Sequence, residues 1–272
     1  MAPATIDLRV ERQAGAIGAL IYDVDLKAAL DDDASADALV AALRSALLEH
    51  LVICIRGQSA LTPDEQLAFA RRWGEVSVHP YVPSIEGHPG IMRISQATPV
   101  TTTWHADTTH VAAPPAMTML LARVVPPAGG DTMFANQYAA FEGLSDGLKA
   151  TLRTLRAVHY GTELAKDAGV AQETVTNSHP VVRTHPETGR ECLFVNANYV
   201  RHFEGWTEAE SAPLLQFLYA QASRPELTWR HRWQLGDLLI WDNRCTQHAV
   251  VGDIGGAERE LHRITIAGDV PR

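Results

Sequence analysis

Apolar residues along this chain fall into two textures. Behind the acidic run Asp31-Asp32-Asp33, leucines recur every four residues (Leu39, Leu43, Leu47, Leu51), which predicts a helix capped by that run. Leu51-Val52-Ile53-Cys54-Ile55 is continuously apolar and predicts a buried strand that Arg56-Gly57 ends. Thr62-Pro63-Asp64-Glu65 has the Thr and Glu of a capping box with Pro at the first helical position, opening a helix through Leu67, Phe69 and Ala70 to Trp73. Further along, the apolar runs shorten and are divided by Pro, Gly and Asp. They cover Met117 to Val125, Thr132 to Ala135, Val181 to Arg183, Leu193 to Asn196, Thr228 to Trp233, Leu238 to Trp241 and Leu261 to Ala267. His185-Pro186-Glu187-Thr188-Gly189 is turn chemistry between two of them. Helices are expected near Leu144–Leu155 and over Thr207–Ala222. Many short strands with few helices predict a mostly β fold (a sandwich, barrel or jelly roll) rather than a doubly wound sheet. With no internal repeat or linker, the expectation is a single domain over residues 1–272.

Composition narrows the function. At 46% hydrophobic and 20% charged residues, the chain has the make-up of a folded globular protein rather than a disordered one. The balance of 23 Lys and Arg against 32 Asp and Glu gives a net charge of −9, which argues against nucleic acid as a partner. A local cationic pocket for a small anion is compatible with it. The three cysteines share no metal-type spacing, which predicts a reducing compartment. The N-terminus lacks a basic leader before an apolar stretch, and no apolar run reaches membrane-spanning length. A cytoplasmic protein with no membrane partner is expected.

Of the twelve histidines, His50, His88, His159, His202 and His231 are read as ordinary surface or core residues. The segment Trp104-His105-Ala106-Asp107-Thr108-Thr109-His110 differs. In an extended stretch, residues two apart point the same way, so His105 and Asp107 can offer an imidazole nitrogen and a carboxylate oxygen to one metal ion. His110 as third ligand would make a local zinc site, as in a zinc hydrolase. His248 would make two histidines and one carboxylate with open positions, the set that suits non-haem Fe(II). On a C-terminal strand, Arg259, Leu261, Arg263 and Thr265 share one face. That face either leaves both arginines in water or turns them into a pocket that binds carboxylates.

Trp-His-x-Asp at Trp104, Gly129-Gly130-Asp131-Thr132, Trp-Asp-Asn-Arg-x-Thr-x-His ending at His248, and His-Arg-x-Thr-Ile-x-Gly-Asp from His262 occur in this order. Together they resemble the taurine dioxygenase / 2,4-dichlorophenoxyacetate dioxygenase family of Fe(II)- and 2-oxoglutarate-dependent oxygenases, from about Gly15 to Asp269. The resemblance implies a double-stranded β-helix, or jelly roll, with helices on its outside. It implies Fe(II) on His105, Asp107 and His248, and 2-oxoglutarate and O2 as cosubstrates. Thr132 and Arg259 match the residues that hold the distal carboxylate of 2-oxoglutarate. Arg263 and His79 match residues that contact the substrate sulfonate in the taurine enzyme. Two positions that help to bind the taurine amine hold Thr101 and Val82 here, with Tyr81 adjacent as a partial substitute. The expected substrate is therefore a small anionic organic molecule (a sulfonate, alkyl sulfate or aryloxy or carboxylic acid), with taurine itself the alternative. The hydroxylated product can collapse when oxygen enters next to a heteroatom. A homo-oligomer, dimer or tetramer, is expected.

Overall fold

The computed structural model describes residues 6–78, 84–95, 101–161 and 175–272. Its largest sheet holds β1 (Arg9–Arg12), β2 (Ala19–Tyr22), β3 (Val52–Ile55), β4 (Val76–Ser77), β5 (Ser84–Ile85), β6 (His88–Ser95), β7 (Met117–Val124), β15 (Leu238–Asp242) and β17 (Glu260–Ile266). Their order is β1-β2-β3-β15-β7-β17-β6-β5, with β4 paired to β17. A second sheet, β14 (Thr228–His231), β8 (Thr132–Asn136) and β16 (Thr246–Val250), lies with β8 in the middle. Beside these are the three-stranded sheet β10 (Thr176–Pro180), β9 (Arg156–Tyr160) and β13 (Val200–Phe203), and the hairpin of β11 (Val182–Thr184) and β12 (Glu191–Leu193). The helices are α1 (Leu26–Ala29), α2 (Asp33–His50), α3 (Pro63–Arg71), α4 (Gln137–Glu142), α5 (Asp146–Leu152) and α6 (Glu208–Ala222).

Why the central strands read as unbroken apolar runs is visible in where alternate residues go. Ile53, Ile55, Met119, Leu121, Leu238, Ile240 and Ile264 pack under α2 and α3 against Leu43, Leu47 and Phe69. Val52, Cys54, Leu120, Leu239, Trp241 and Leu261 face the other way, onto Phe134 and Trp229 of the second sheet. Both faces of these strands are therefore buried, and each Leu- or Ile-sized side chain stabilises the fold by roughly 1.5–3 kcal/mol. Two facing layers, antiparallel apart from the parallel pair β2 and β3, with helices outside make the jelly-roll layout. A third cluster, including Phe141, Leu152, Phe203 and Leu218, lies under α6.

The local signals explain the helix ends. Asp32 caps α2, accepting the Ser35 N–H, and Leu51 leaves the helix in the left-handed region at φ 66°. Thr62 and Thr207 both form full capping boxes, with Glu65 and Glu210. The helix expected near Leu144–Leu155 forms as α5, shorter at Asp146–Leu152, and a separate helix, α4, precedes it. Asn136 caps α4 through the Ala139 N–H, Gly143 closes that helix, and Ser145 starts α5 afresh. The turn at His185–Gly189 does join β11 to β12. Strands such as β10 (Thr-Asn-Ser-His-Pro) escaped the pattern because their composition is polar.

Candidate active site

His105 and His248 meet as one antiparallel bridge that extends the second sheet beyond β16. The His105 N–H donates to His248 O at 3.0 Å, and the His248 N–H donates to His105 O at 2.7 Å. Directly opposed residues point to the same face, so the two rings lie with centroids 4.2 Å apart. Two residues on, Asp107 returns to that face, its Oδ1 lying 3.8 Å from His105 Nε2 and 3.6 Å from His248 Nε2. All three donor atoms lie within 4.8 Å of one another, and all three side chains are buried.

Protonation is set by neighbours. His105 Nδ1 donates to the Thr103 carbonyl at 2.8 Å, which leaves Nε2 with its lone pair towards Asp107. Burial lowers His105 against the pull of Asp107; burial and then the nearby His105 push His248 down to about 3. Both rings are thus neutral at pH 7. Burial would raise the Asp107 carboxyl, but the Arg263 charge, joined by the interactions with His248 and His105 and the Thr118 hydrogen bond, outweighs it and holds it well below the usual carboxylate range. Its Oδ2 accepts from Thr118 Oγ1 at 2.8 Å and forms an ion pair with Arg263 at 2.7 Å. Oδ1 is the oxygen left to a cation. Two neutral imidazoles and one ionised oxygen facing a common point fit a divalent ion, and that donor set suits non-haem Fe(II).

Among the described residues, two other groups bring metal-binding side chains together, Cys54 with His231 and Asp237, and His185 with Asp242 and Cys245. In both the histidine is spent on the acid: His231 Nε2 donates to Asp237 at 3.1 Å and His185 Nε2 to Asp242 at 3.0 Å. Arg56 and Arg244 complete those networks as ion pairs, each at 2.6 Å.

The loop bearing Asp107 is gripped along its length. Asn243 accepts the Asp107 N–H at 2.7 Å and donates to the Asp107 carbonyl at 3.2 Å and that of Pro115 at 3.0 Å. Thr109 Oγ1 meets His159 Nδ1 at 2.8 Å and Asn196 at 3.2 Å. Asn177 donates to the His110 carbonyl at 2.6 Å, and His179 to that of Val111 at 3.0 Å. Between these grips Thr108 takes a positive φ of 46°. That turn redirects the chain, so His110 packs on Tyr199, with ring centroids 5.2 Å apart. It also lies against Gly161, where a Cβ would fall 2.3 Å from the His110 Cδ2. His110 is not in the donor group, so the local set of His105, Asp107 and His110 proposed from spacing is not assembled.

On β17 the arginines turn inward. Arg259 is 3% exposed, its Nε has no hydrogen-bond partner among the described residues, and no described carboxylate forms an ion pair with it. Burial lowers its guanidinium; Asp131, whose charge reaches it, is itself bonded to Arg230 at 2.6 Å. Arg259 still carries its charge, since guanidinium does not deprotonate in proteins. The Gly-Gly turn lies close beside it: a Cβ on Gly130, at φ +69°, would be 3.5 Å from Arg259 Cδ. Two residues on, Thr132 is 2% exposed and its hydroxyl accepts from Trp233 Nε1 at 3.1 Å.

The family model described as "Taurine catabolism dioxygenase TauD, TfdA family" matches residues 9–265. The chain belongs to this family. It is accordingly a non-haem iron dioxygenase that uses Fe(II), with 2-oxoglutarate and O2 as cosubstrates, and the buried His-Asp-His group fits the ion. The alpha-ketoglutarate-dependent sulfate ester dioxygenase of Pseudomonas putida is 37% identical over 285 residues, covering 99% of this chain and 93% of that protein. The 2,4-dichlorophenoxyacetate dioxygenase of Cupriavidus pinatubonensis is 33% identical over 278 residues, covering 92% and 94%. Among solved structures, a taurine dioxygenase from Burkholderia xenovorans superposes with a TM-score of 0.85 at 37% identity, covering 97% of this chain and 90% of that one. The enzyme AAD-2, solved with Mn(II) and N-oxalylglycine, gives 0.82 at 26% identity, covering 98% and 99%.

For this TauD/TfdA chain, the structure thus brings His105, Asp107 and His248 together, adds Arg263 through Asp107, and buries Arg259 and Thr132. His79, Tyr81 and Val82 lie outside the described residues. Thr118, Asn243 and His159 were not singled out from the sequence as supports of this loop. Thr118 carries a signal, as a hydroxyl in the apolar run of β7, and Asn243 lies inside the Trp-Asp-Asn-Arg motif. Asn243→Ala removes both peptide partners of Asp107. Its expected effect is a 10- to 100-fold loss of Fe(II) affinity, about what loss of a ligand's supporting hydrogen bonds costs, read by competition with a chelator. Unchanged affinity would show that the other grips suffice.

Proposed function

We propose that His105, Asp107 and His248 hold the iron, that Arg259 and Thr132 hold the distal carboxylate of 2-oxoglutarate, and that Arg263, with His79 and Tyr81, receives a small anionic organic substrate, which is hydroxylated. The observation that carries this reading is Arg259: a buried guanidinium with no acid partner is costly unless an anion completes it. A dicarboxylate cosubstrate supplies that anion. When bound, iron supplies the activation of O2 that C–H hydroxylation needs. The chain's own residues position and exclude. Thr118 and Arg263 hold one oxygen of Asp107 so that the other faces the ion. The burial of both histidines keeps water away and the imidazoles neutral. Arg263 reaches Asp107 with one nitrogen, while its buried Nε has no partner among the described residues and can meet a substrate anion.

Relatives named for sulfate esters, alkyl sulfates and 2,4-dichlorophenoxyacetate support an anionic substrate with an apolar tail. Thr101 and Val82 support it too, because an ammonium group would find no carbonyl or phenol from these two side chains. An unsatisfied buried donor loses about 1–3 kcal/mol. Alkyl sulfates, apolar sulfonates or aryloxy acids are therefore expected to turn over about tenfold or more faster than taurine at low concentration. Succinate release from matched pairs, amino-terminated against methyl-terminated, measures this. A preference for taurine over every apolar analogue would sink the substrate reading and leave the iron site standing.

The family match over 9–265 supports one working domain spanning residues 1–272. The fully exposed edge strand β1 is open to pairing, in keeping with a dimer or tetramer that light scattering would count. No helix among the described residues is long and apolar enough to cross a membrane. The three buried, unbridged cysteines are in keeping with the cytoplasm.

A further inference from the structure

Thr132 is a hydroxyl with two capacities: it can accept hydrogen bonds, and it can donate its single hydrogen. A carboxylate needs the donor. In the described residues, the partner of Thr132 Oγ1 is the indole N–H of Trp233, at 3.1 Å in a buried setting. Indole donates and cannot accept. This contact therefore occupies a lone pair of the hydroxyl and leaves its hydrogen to be given elsewhere. Trp233 is itself 7% exposed and held edge-on to His231, with ring centroids 4.8 Å apart and planes at 85°. His231 pairs with Thr132 across β14 and β8, so the indole is braced on the strand next to the one it serves.

We propose that Trp233 is a positioning residue for 2-oxoglutarate: by donating to Thr132 Oγ1 it turns the Thr132 hydroxyl into a donor for the distal carboxylate beside Arg259. This rests on the placing of that carboxylate at Thr132 and Arg259. Trp233 touches no reacting atom. It fixes which way a neighbouring dipole points before the cosubstrate arrives, so that no reorientation is needed on binding.

The experiment measures binding of two 2-oxo acids to the Fe(II)-loaded protein without oxygen, by calorimetry. 2-Oxoglutarate has the distal carboxylate, and pyruvate shares its 2-oxo acid head without it. Trp233→Phe keeps an aromatic ring and loses the N–H. It is expected to weaken 2-oxoglutarate by about three- to tenfold, the range for one hydrogen bond, with pyruvate unchanged. Thr132→Val should weaken 2-oxoglutarate at least as much, and Thr132→Ser should restore it. In the Thr132→Val background, Trp233→Phe should then have no further effect, because the indole acts through the hydroxyl.

Equal losses for 2-oxoglutarate and pyruvate in Trp233→Phe would overturn the inference, as would an undiminished effect in the double variant. If Thr132→Val weakens 2-oxoglutarate while Trp233→Phe binds it normally, the inference fails and the carboxylate site stands. If Thr132→Val itself binds normally, both fail. Should Trp233→Phe not fold, the indole N–H resonance of Trp233 decides. It is expected to move upfield from wild type to Thr132→Val as its acceptor is removed, and an unmoved resonance would overturn the proposal.

Discussion

His248→Ala is expected to bring 2-oxoglutarate turnover to background and to lower Fe(II) affinity by more than about 100-fold, beyond the loss that follows when only a ligand's support is removed. The change takes away one of two neutral imidazoles facing Asp107 Oδ1, and the remaining pair cannot enclose an ion in the same way. The fold should survive, because the bridge between His105 and His248 is made by backbone groups that alanine keeps. An anaerobic Fe(II) titration measures the affinity, and the visible absorbance that develops with 2-oxoglutarate should be lost together with turnover. His105→Ala and Asp107→Ala should behave alike. His110→Ala is the control: its ring packs on Tyr199 outside the donor group, so iron should be retained. Full activity in His248→Ala, or loss of the ion in His110→Ala with His248→Ala unaffected, would move the third ligand back to His110.

Arg259→Ala is expected to weaken 2-oxoglutarate by about 30-fold or more. Truncating one partner of a buried, charge-assisted pair costs roughly 2–5 kcal/mol, since the other charge is left in a confined site alone. In this chain the cost falls on the cosubstrate, because no described side chain neutralises Arg259 beforehand. Arg259→Lys should recover part of the affinity, as it keeps the charge and loses the planar fork. Arg259→Ala should leave the Fe(II) affinity of the protein without cosubstrate near wild type. An unchanged 2-oxoglutarate affinity would transfer the role to another cation, with Arg263 the first to test.

Much of this was legible in the sequence, for reasons that differ from element to element. Strands β3, β7, β15 and β17 are buried on both faces, so they announce themselves as apolar runs. Capping chemistry at Thr62 and Thr207 gave helix starts to the residue. His105 and Asp107 could be paired because a two-residue spacing has a fixed meaning in extended chain. Their third partner could not be chosen by spacing. His110 is nearer in sequence and His248 nearer in space, and only the positive φ of Thr108 and the bridge to β16 separate the two. The direction of the arginines on β17 was equally open, since a period of two says which residues share a face and not what lies over it. The grips on the ligand loop were hidden for another reason. Asn243, Asn196, Asn177, His159 and His179 each look like ordinary polar residues until long-range pairing brings them to the loop.

The bridge between His105 and His248 also fixes an order of events. As the chain is made from its N-terminus, His105 and Asp107 emerge early, carried on a segment whose strand partner does not yet exist. Residues of β9 and β10 can grip that segment before β16 and β17 are synthesised. Until then there is no His248, no Arg263 to anchor Asp107 and no Arg259. A chain made only as far as β13 holds two of the three side chains of that donor group and neither of the β17 arginines. The buried group of His105, Asp107 and His248 is therefore assembled only after β16 has been made, and its Arg263 anchor only after β17.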